Sequence, residues 1–118
     1  MDTTVNFEMI QGTTKYIYCH LYQSDGVTPI IPTFLSEMVF GAKYYGQYTS
    51  PTPLIQKTLD AGITGGADGI YIIKLLPADT VNLLGKLQFD IRVKETVPLG
   101  GDEFVATSGL FIINNKST

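Results

Sequence analysis

Apolar and polar residues alternate along most of this chain with a period of two, and the alternation is cleanest over residues 86–95, KLQFDIRVKE. On an extended chain Leu87, Phe89, Ile91 and Val93 fall on one side, and Lys86, Gln88, Asp90, Arg92 and Lys94 on the other. Full burial of one Leu or Phe is worth about 1.5–3 kcal/mol, so four inward residues hold such a strand against a one-residue slip. Residues 5–10 (VNFEMI) repeat the pattern, with Val5, Phe7 and Met9 opposed to Asn6 and Glu8. In residues 15–22 (KYIYCHLY), Ile17, Cys19 and Leu21 face one way and Tyr16, Tyr18, His20 and Tyr22 the other. Bulk on both sides predicts a central strand whose second face is partly covered. Residues 37–45 (EMVFGAKYY) place Met38, Phe40, Ala42 and Tyr44 on a core face, and residues 54–60 (LIQKTLD) form a shorter strand. Residues 69–76 (GIYIIKLL) are almost continuously apolar, which predicts burial on most of their length. Residues 103–114 (EFVATSGLFIIN) supply a last strand in which Gly109 reads as a bulge.

Turn formers separate these segments: Gly12, Ser24-Asp25-Gly26, the Pro29 and Pro32 stretch, GQYTSPTP, AGITGGADG and VPLGGD. Residues 77–84 (PADTVNLL) predict one short helical turn, with Pro77 early and Asp79 or Thr80 capping. No long stretch carries a 3.6-residue apolar period. Seven or so strands joined by connections too short for crossover helices imply antiparallel pairing. An all-β sandwich of two sheets follows, with a small closed barrel as the alternative. At 118 residues the chain forms one domain, residues 1–118, as a whole protein or as the first domain of a longer one.

Composition removes several function classes. Net charge is −3, and the eight basic residues are scattered from Lys15 to Lys116 without forming the basic patch that nucleic acid requires. Cys19 is the only cysteine and His20 the only histidine, leaving no disulfide framework, no cysteine zinc cage and no multi-histidine metal site. Neighbours on a strand point to opposite faces, so the thiol of Cys19 and the imidazole of His20 do not meet. Asp102-Glu103 is the only tight pair of carboxylates. The run AGITGGADG lacks the Lys-Ser/Thr ending of a phosphate loop and leads into a strand. Asp60 and Asp68 flank it at a spacing that matches no calcium loop. The apolar runs fall well short of the ~20 residues of a membrane span, and the start, MDTTVNFEMI, lacks the features of a signal peptide. No enzyme activity, cofactor, metal, nucleic acid or membrane is therefore expected. What remains is aromatic: Tyr16, Tyr18, Tyr22, Tyr45 and Tyr48 are the candidate anchors of a protein interface. The cluster Tyr44, Tyr45 and Tyr48 also offers a sugar-stacking platform, or Tyr44 packs in the core.

Four segments together resemble the immunoglobulin-like N-terminal domain of phage baseplate upper proteins and related tail-fibre adaptor domains. They are QGTTKYIYCHLYQSDG with its Asp-Gly turn, EMVFGAKYY, DGIYIIKLLPADTVNLLGKLQFDIRVKE, and the closing SGLFIIN. Lys86 after Gly85 and the Pro29–Pro32 loop depart from the pattern. The resemblance implies an immunoglobulin-like sandwich and a non-enzymatic structural part of a virion. Such a part is assembled in the host cytoplasm and docks other tail or baseplate proteins, commonly as a trimer or in a six-fold assembly. It transfers no active-site residues. The reading from the residues alone keeps a second class open, a carbohydrate-binding sandwich using the tyrosine-rich loop.

Overall fold

In the computed structural model, residues 3–23, 25–46, 53–96, 101 and 103–115 are described. Among these described residues nine strands and two short turns of helix follow one another: β1 (Thr3–Thr4), β2 (Phe7–Ile10), β3 (Lys15–His20), a 3-10 turn (Pro32–Phe34), β4 (Leu35–Tyr44), β5 (Ile55–Leu59), β6 (Gly62–Gly65), β7 (Ile70–Leu75), α1 (Pro77–Thr80), β8 (Gly85–Glu95) and β9 (Glu103–Asn114). Hydrogen bonds run in the order β1–β9–β8–β4–β5–β6–β7–β3, with β2 also on β9. The ladder folds over at the tight β5–β6 corner, where Thr58 pairs with Gly62 and Asp60 adopts a positive φ of 64°. One layer is then β2–β9–β8–β4–β5 and the other β6–β7–β3. Ile17 and Cys19 from the second layer line the same interlayer cleft as Phe89 and Ile91 from the first. This is the strand order of an immunoglobulin-like β-sandwich.

Strand β8 is the centre of the larger layer, and its alternation is realised residue by residue. Leu87, Phe89, Ile91 and Val93 are all buried, paired across to Met38, Phe40, Ala42 and Tyr44 of β4, with Phe111 of β9 beside Leu87. Immunoglobulin domains commonly pin their layers with a disulfide and a buried Trp, and this chain has one cysteine and no Trp. Phenylalanines occupy that role. Phe89 lies 5.7 Å from Phe40 and 4.7 Å from Phe7, which in turn lies 4.8 Å from Phe111. These separations suit tilted and offset ring contacts.

Several expectations are corrected. Strand β3 is not central: among the described residues it pairs only with β7 and ends the hydrogen-bonded path. The segment that could have flanked it, residues 3–10, lies against β9 instead. There β1 and β2 pair in parallel, Thr3 with Thr107 and Phe7 with Phe111, so pairing is not antiparallel throughout. The glycine-rich stretch holds strand β6, in which Ile63 is fully buried. Strand β7 alternates, with Tyr71, Ile73 and Leu75 fully buried and Ile70 and Ile72 half-buried on the outside. In α1 the N-cap is Leu76, whose N–H donates to Asp79 Oδ2 at 2.6 Å, while the Lys57 ammonium meets the same oxygen at 2.8 Å. Thr80 is fully buried, and its hydroxyl oxygen accepts the Gly12 N–H at 2.9 Å.

Gly109 is not the bulge. The register shift falls opposite Ile91 and Arg92, which pair with Thr107 and Val105 and leave Ala106 as the extra residue. Gly109 serves another need, because the backbone between β1 and β2 crosses directly over it. The Val5 N–H donates to Ser108 O at 2.8 Å, and Asn6 Oδ1 accepts the Leu110 N–H at 3.0 Å. A Cβ built on Gly109 would stand 1.7 Å from the Val5 carbonyl oxygen. Gly109→Ala must therefore push the N-terminal segment off β9, at a cost of about 1–3 kcal/mol. Urea denaturation measures the loss, and amide exchange of residues 5–10 locates it.

Two buried titratable groups meet across the β3–β7 pair, Cys19 and Tyr71. Burial pushes the Cys19 thiol up to about 11 from 9.0. Tyr71, whose hydroxyl donates to Ile30 O at 2.8 Å, is pushed up to about 12, first by burial and then by the neighbouring Cys19. Both are neutral when protonated, so unfolding releases protons only once the pH passes the unfolded-state values. Stability is then unaffected by these groups below 9.0 and falls as pH rises toward 11. Urea midpoints across this range are expected to show that decline, made shallower by Cys19→Ala.

Candidate functional site

The five tyrosines singled out from the sequence do not form one cluster. Tyr16, Tyr18 and Tyr22 lie along β3 and its continuation, with 50%, 60% and 48% of their surface exposed. On β3 the alternation buries Cys19, half-buries Ile17 and leaves Tyr16, Tyr18 and His20 exposed. Each outward residue is paired across to β7: Tyr16 with Lys74, Tyr18 with Ile72 and His20 with Ile70. The Lys74 ammonium sits 5.7 Å from the Tyr16 ring centre, a cation–π distance. The outcome is a row of half-exposed phenol rings beside Lys74 and the half-buried Ile72, on a strand with no described neighbour on its other edge.

Tyr45 belongs to the opposite layer. It follows β4, and the Lys86 ammonium lies 5.0 Å from its ring centre, so one side of the ring already has a partner. Tyr44 is half-buried and packs against the core. Tyr48 lies outside the described residues. Of the three rings of the expected stacking platform, the structure thus describes two, Tyr44 and Tyr45.

Around Tyr45 the outer face of β9–β8–β4–β5 holds a trough of about 860 Å³. Its floor is low at Gly41, where an added Cβ would meet only Pro53 at 3.8 Å and an Asp90 oxygen at 3.9 Å. Asp90 and Arg92 stand side by side on β8, with Arg92 Nε donating to Asp90 Oδ2 at 3.3 Å. The side chains remain 61% exposed for Arg92 and 35% for Asp90, an open ion pair of small intrinsic worth. Sequence reasoning placed both residues on the outward side of their strand. It missed Gly41 and the cross-strand rows because these depend on register between strands far apart in the chain.

The remaining candidates for chemistry stay apart. Cys19 is buried with its thiol pushed up to about 11, so little of it is thiolate, the nucleophilic form. His20 is exposed on the other side of the strand. Asp68 Oδ1 accepts the Ile70 N–H at 3.2 Å and serves its own turn. Among the described residues no three His, Cys, Asp or Glu side chains converge to hold a metal, and no helix is long and apolar enough to cross a membrane. What the described surface can do is present two differently built sheet faces to other molecules.

No family model matches the chain, and no curated protein matches it. Among solved structures it is similar to the extracellular domain of the voltage-gated sodium channel beta4 subunit, described as parallel homodimers with a role in cell–cell adhesion. That similarity is 15% identity over 98% of this chain and 94% of the other, with a TM-score of 0.48. The immunoglobulin-like fold rests on this chain's own strand order and buried core.

Proposed function

We propose that this domain is a structural interaction module without enzymatic activity, and that it serves in a bacteriophage virion by docking other tail or baseplate proteins in a repeated assembly. The observation that carries the interaction reading is the row of exposed Tyr16, Tyr18 and Tyr22 along β3 and its continuation. Tyrosine anchors an interface well because it offers a large apolar ring and one hydroxyl at low conformational cost. Cross-strand partners on β7, Lys74 beside Tyr16 and the half-buried Ile72 beside Tyr18, give such anchors a firm base. The virion assignment is supported by the likeness of the Gly-Thr-led strand, the Asp-Gly-led strand and the SGLFIIN ending to baseplate upper and tail-fibre adaptor domains. The described residues, for their part, bring no catalytic grouping together.

Mass spectrometry of purified particles tests both halves. The chain is expected in the particle at the copy number of a tail or baseplate ring. Tyr16→Ala with Tyr18→Ala, a pair that alters exposed rings and leaves the core intact, is expected to cut incorporation at least tenfold, since interface hot spots cost about 2 kcal/mol or more each. Absence of the native chain from particles overturns the virion role. Undiminished incorporation of the double variant removes the tyrosine face as the docking surface.

A further inference from the structure

Across the outer face of β9–β8–β4–β5 the strand registers arrange charged and neutral residues in rows at right angles to the strands. Phe40 pairs with Ile91, and both point inward, so this pair marks a line across the face between two outward rows. On one side of the line Gly41 pairs with Asp90, and beyond it Lys43 pairs with Gln88. On the other side Val39 pairs with Arg92, and beyond it Glu37 pairs with Lys94. The two sides are opposites of one another. Asp90 and Arg92 are equidistant from the line with contrary charge, and so are Lys43 and Glu37. Size is inverted too, with Gly41 set against Val39.

The geometry points to this face as a two-fold contact with a second copy of the chain, the axis running parallel to the Phe40–Ile91 line and outside the face, midway between the two sheets. Rotation by 180° about that axis lays the face against itself with strands reversed, so each residue meets its counterpart from the far side of the line. Asp90 then faces the second copy's Arg92, and the reverse. Lys43 faces Glu37 twice over. Val39 of each copy is set over the low floor at Gly41 of the other, between the Pro53 ring and the Asp90 carboxylate that border it. The outlying charges meet neutral groups: Lys94 faces Gln88, and Glu103 of β9 faces Leu110. No two like charges coincide. The other face-to-face rotation, about an axis along the strands, sets Asp90 over Asp90 and Arg92 over Arg92 and is disfavoured by like charge.

The Asp90–Arg92 pair within each chain does not compete with the contact. The guanidinium has five N–H donors in a planar fork, and only Nε is engaged with its own Asp90. Its terminal nitrogens can reach the carboxylate across the axis and close a ring of four alternating charges. Such an isologous contact has the same patch on both sides, and sheets stacked face to face stand about 10 Å apart, a distance these side chains span. It occupies the layer opposite the tyrosine row, goes beyond the docking role, and is compatible with a six-fold assembly of three pairs.

Sedimentation equilibrium of the purified chain at micromolar to tenth-millimolar concentrations tests the contact, with circular dichroism reporting that each variant is folded. The native chain is expected to form dimers. Asp90→Arg alone sets two positive pairs across the axis and Arg92→Asp alone two negative ones, so each is expected to weaken dimerisation at least about tenfold. An equal mixture of these two variants is expected to dimerise again as a mixed pair, because every facing charge is then opposite. The double variant Asp90→Arg with Arg92→Asp, which exchanges the charges within one chain, is expected to recover the homodimer. Tyr18→Ala is expected to leave the dimer intact. A native chain that stays monomeric, a dimer indifferent to both single substitutions, or a failure of both the mixture and the exchanged variant to associate overturns the contact. None of these results bears on incorporation through the tyrosine face.

Discussion

The burial of Leu87, Phe89, Ile91 and Val93 on a single strand is the constraint on which the rest of the molecule turns. Strand β8 has a neighbour on either side, so sliding it by one residue would turn these four side chains to water and drive Lys86, Asp90, Arg92 and Lys94 into the core. Unpaired charges inside an apolar layer carry a cost far above that of the lost burial, so the register has one solution. The inner face closes the sandwich. The outer face inherits its charge rows from the same choice, so core and surface pattern are decided together.

A second condition follows from the chain's way of pinning its layers. Without a disulfide between the sheets or a buried Trp, the apolar centre depends on Phe7, Phe40, Phe89 and Phe111. Phe7 reaches that cluster only because β2 lies on β9, and the backbone just before it passes over Gly109. The loss of one β carbon at position 109 is thus connected to the aromatic centre through the path of the N-terminal segment. Thr80, Gly12 and Gln11 hold the far end of that segment, where Gln11 Nε2 donates to Val81 O at 2.9 Å.

Strand β8 was legible because a two-residue period held over ten positions has no competing reading, and β4 because its core face alternates over nine. Strand β6 was not. Its four residues, GITG, carry one apolar side chain and three breakers or polar groups, and only the ladder to β7 makes them extended. The apolar and aromatic sides of β3 were read correctly, but its place in the sheet was not, because bulk on both sides does not say whether a neighbour is present. Parallel pairing of the N-terminal strands also left no local mark, since Phe7 and Met9 alternate alike in either direction. The candidate site shows the same division. That Tyr16, Tyr18 and Tyr22 share a side was written in their spacing. That Tyr45 stands on the opposite layer, and that Gly41 lies beside Asp90, became visible only once distant strands were aligned.

The parallel seating of β1 and β2 on β9 also governs how the domain responds to tension. Thr3 sits beside Thr107 and Ile10 beside Asn114, so the two outermost strands of the chain run side by side in the same direction. A pull that draws the chain's two ends apart drags these strands past each other along their length. The hydrogen bonds between them are then loaded sideways and all at once, where a hairpin would let them open one after another. The seam that joins the start of the chain to its end is therefore a mechanical clamp.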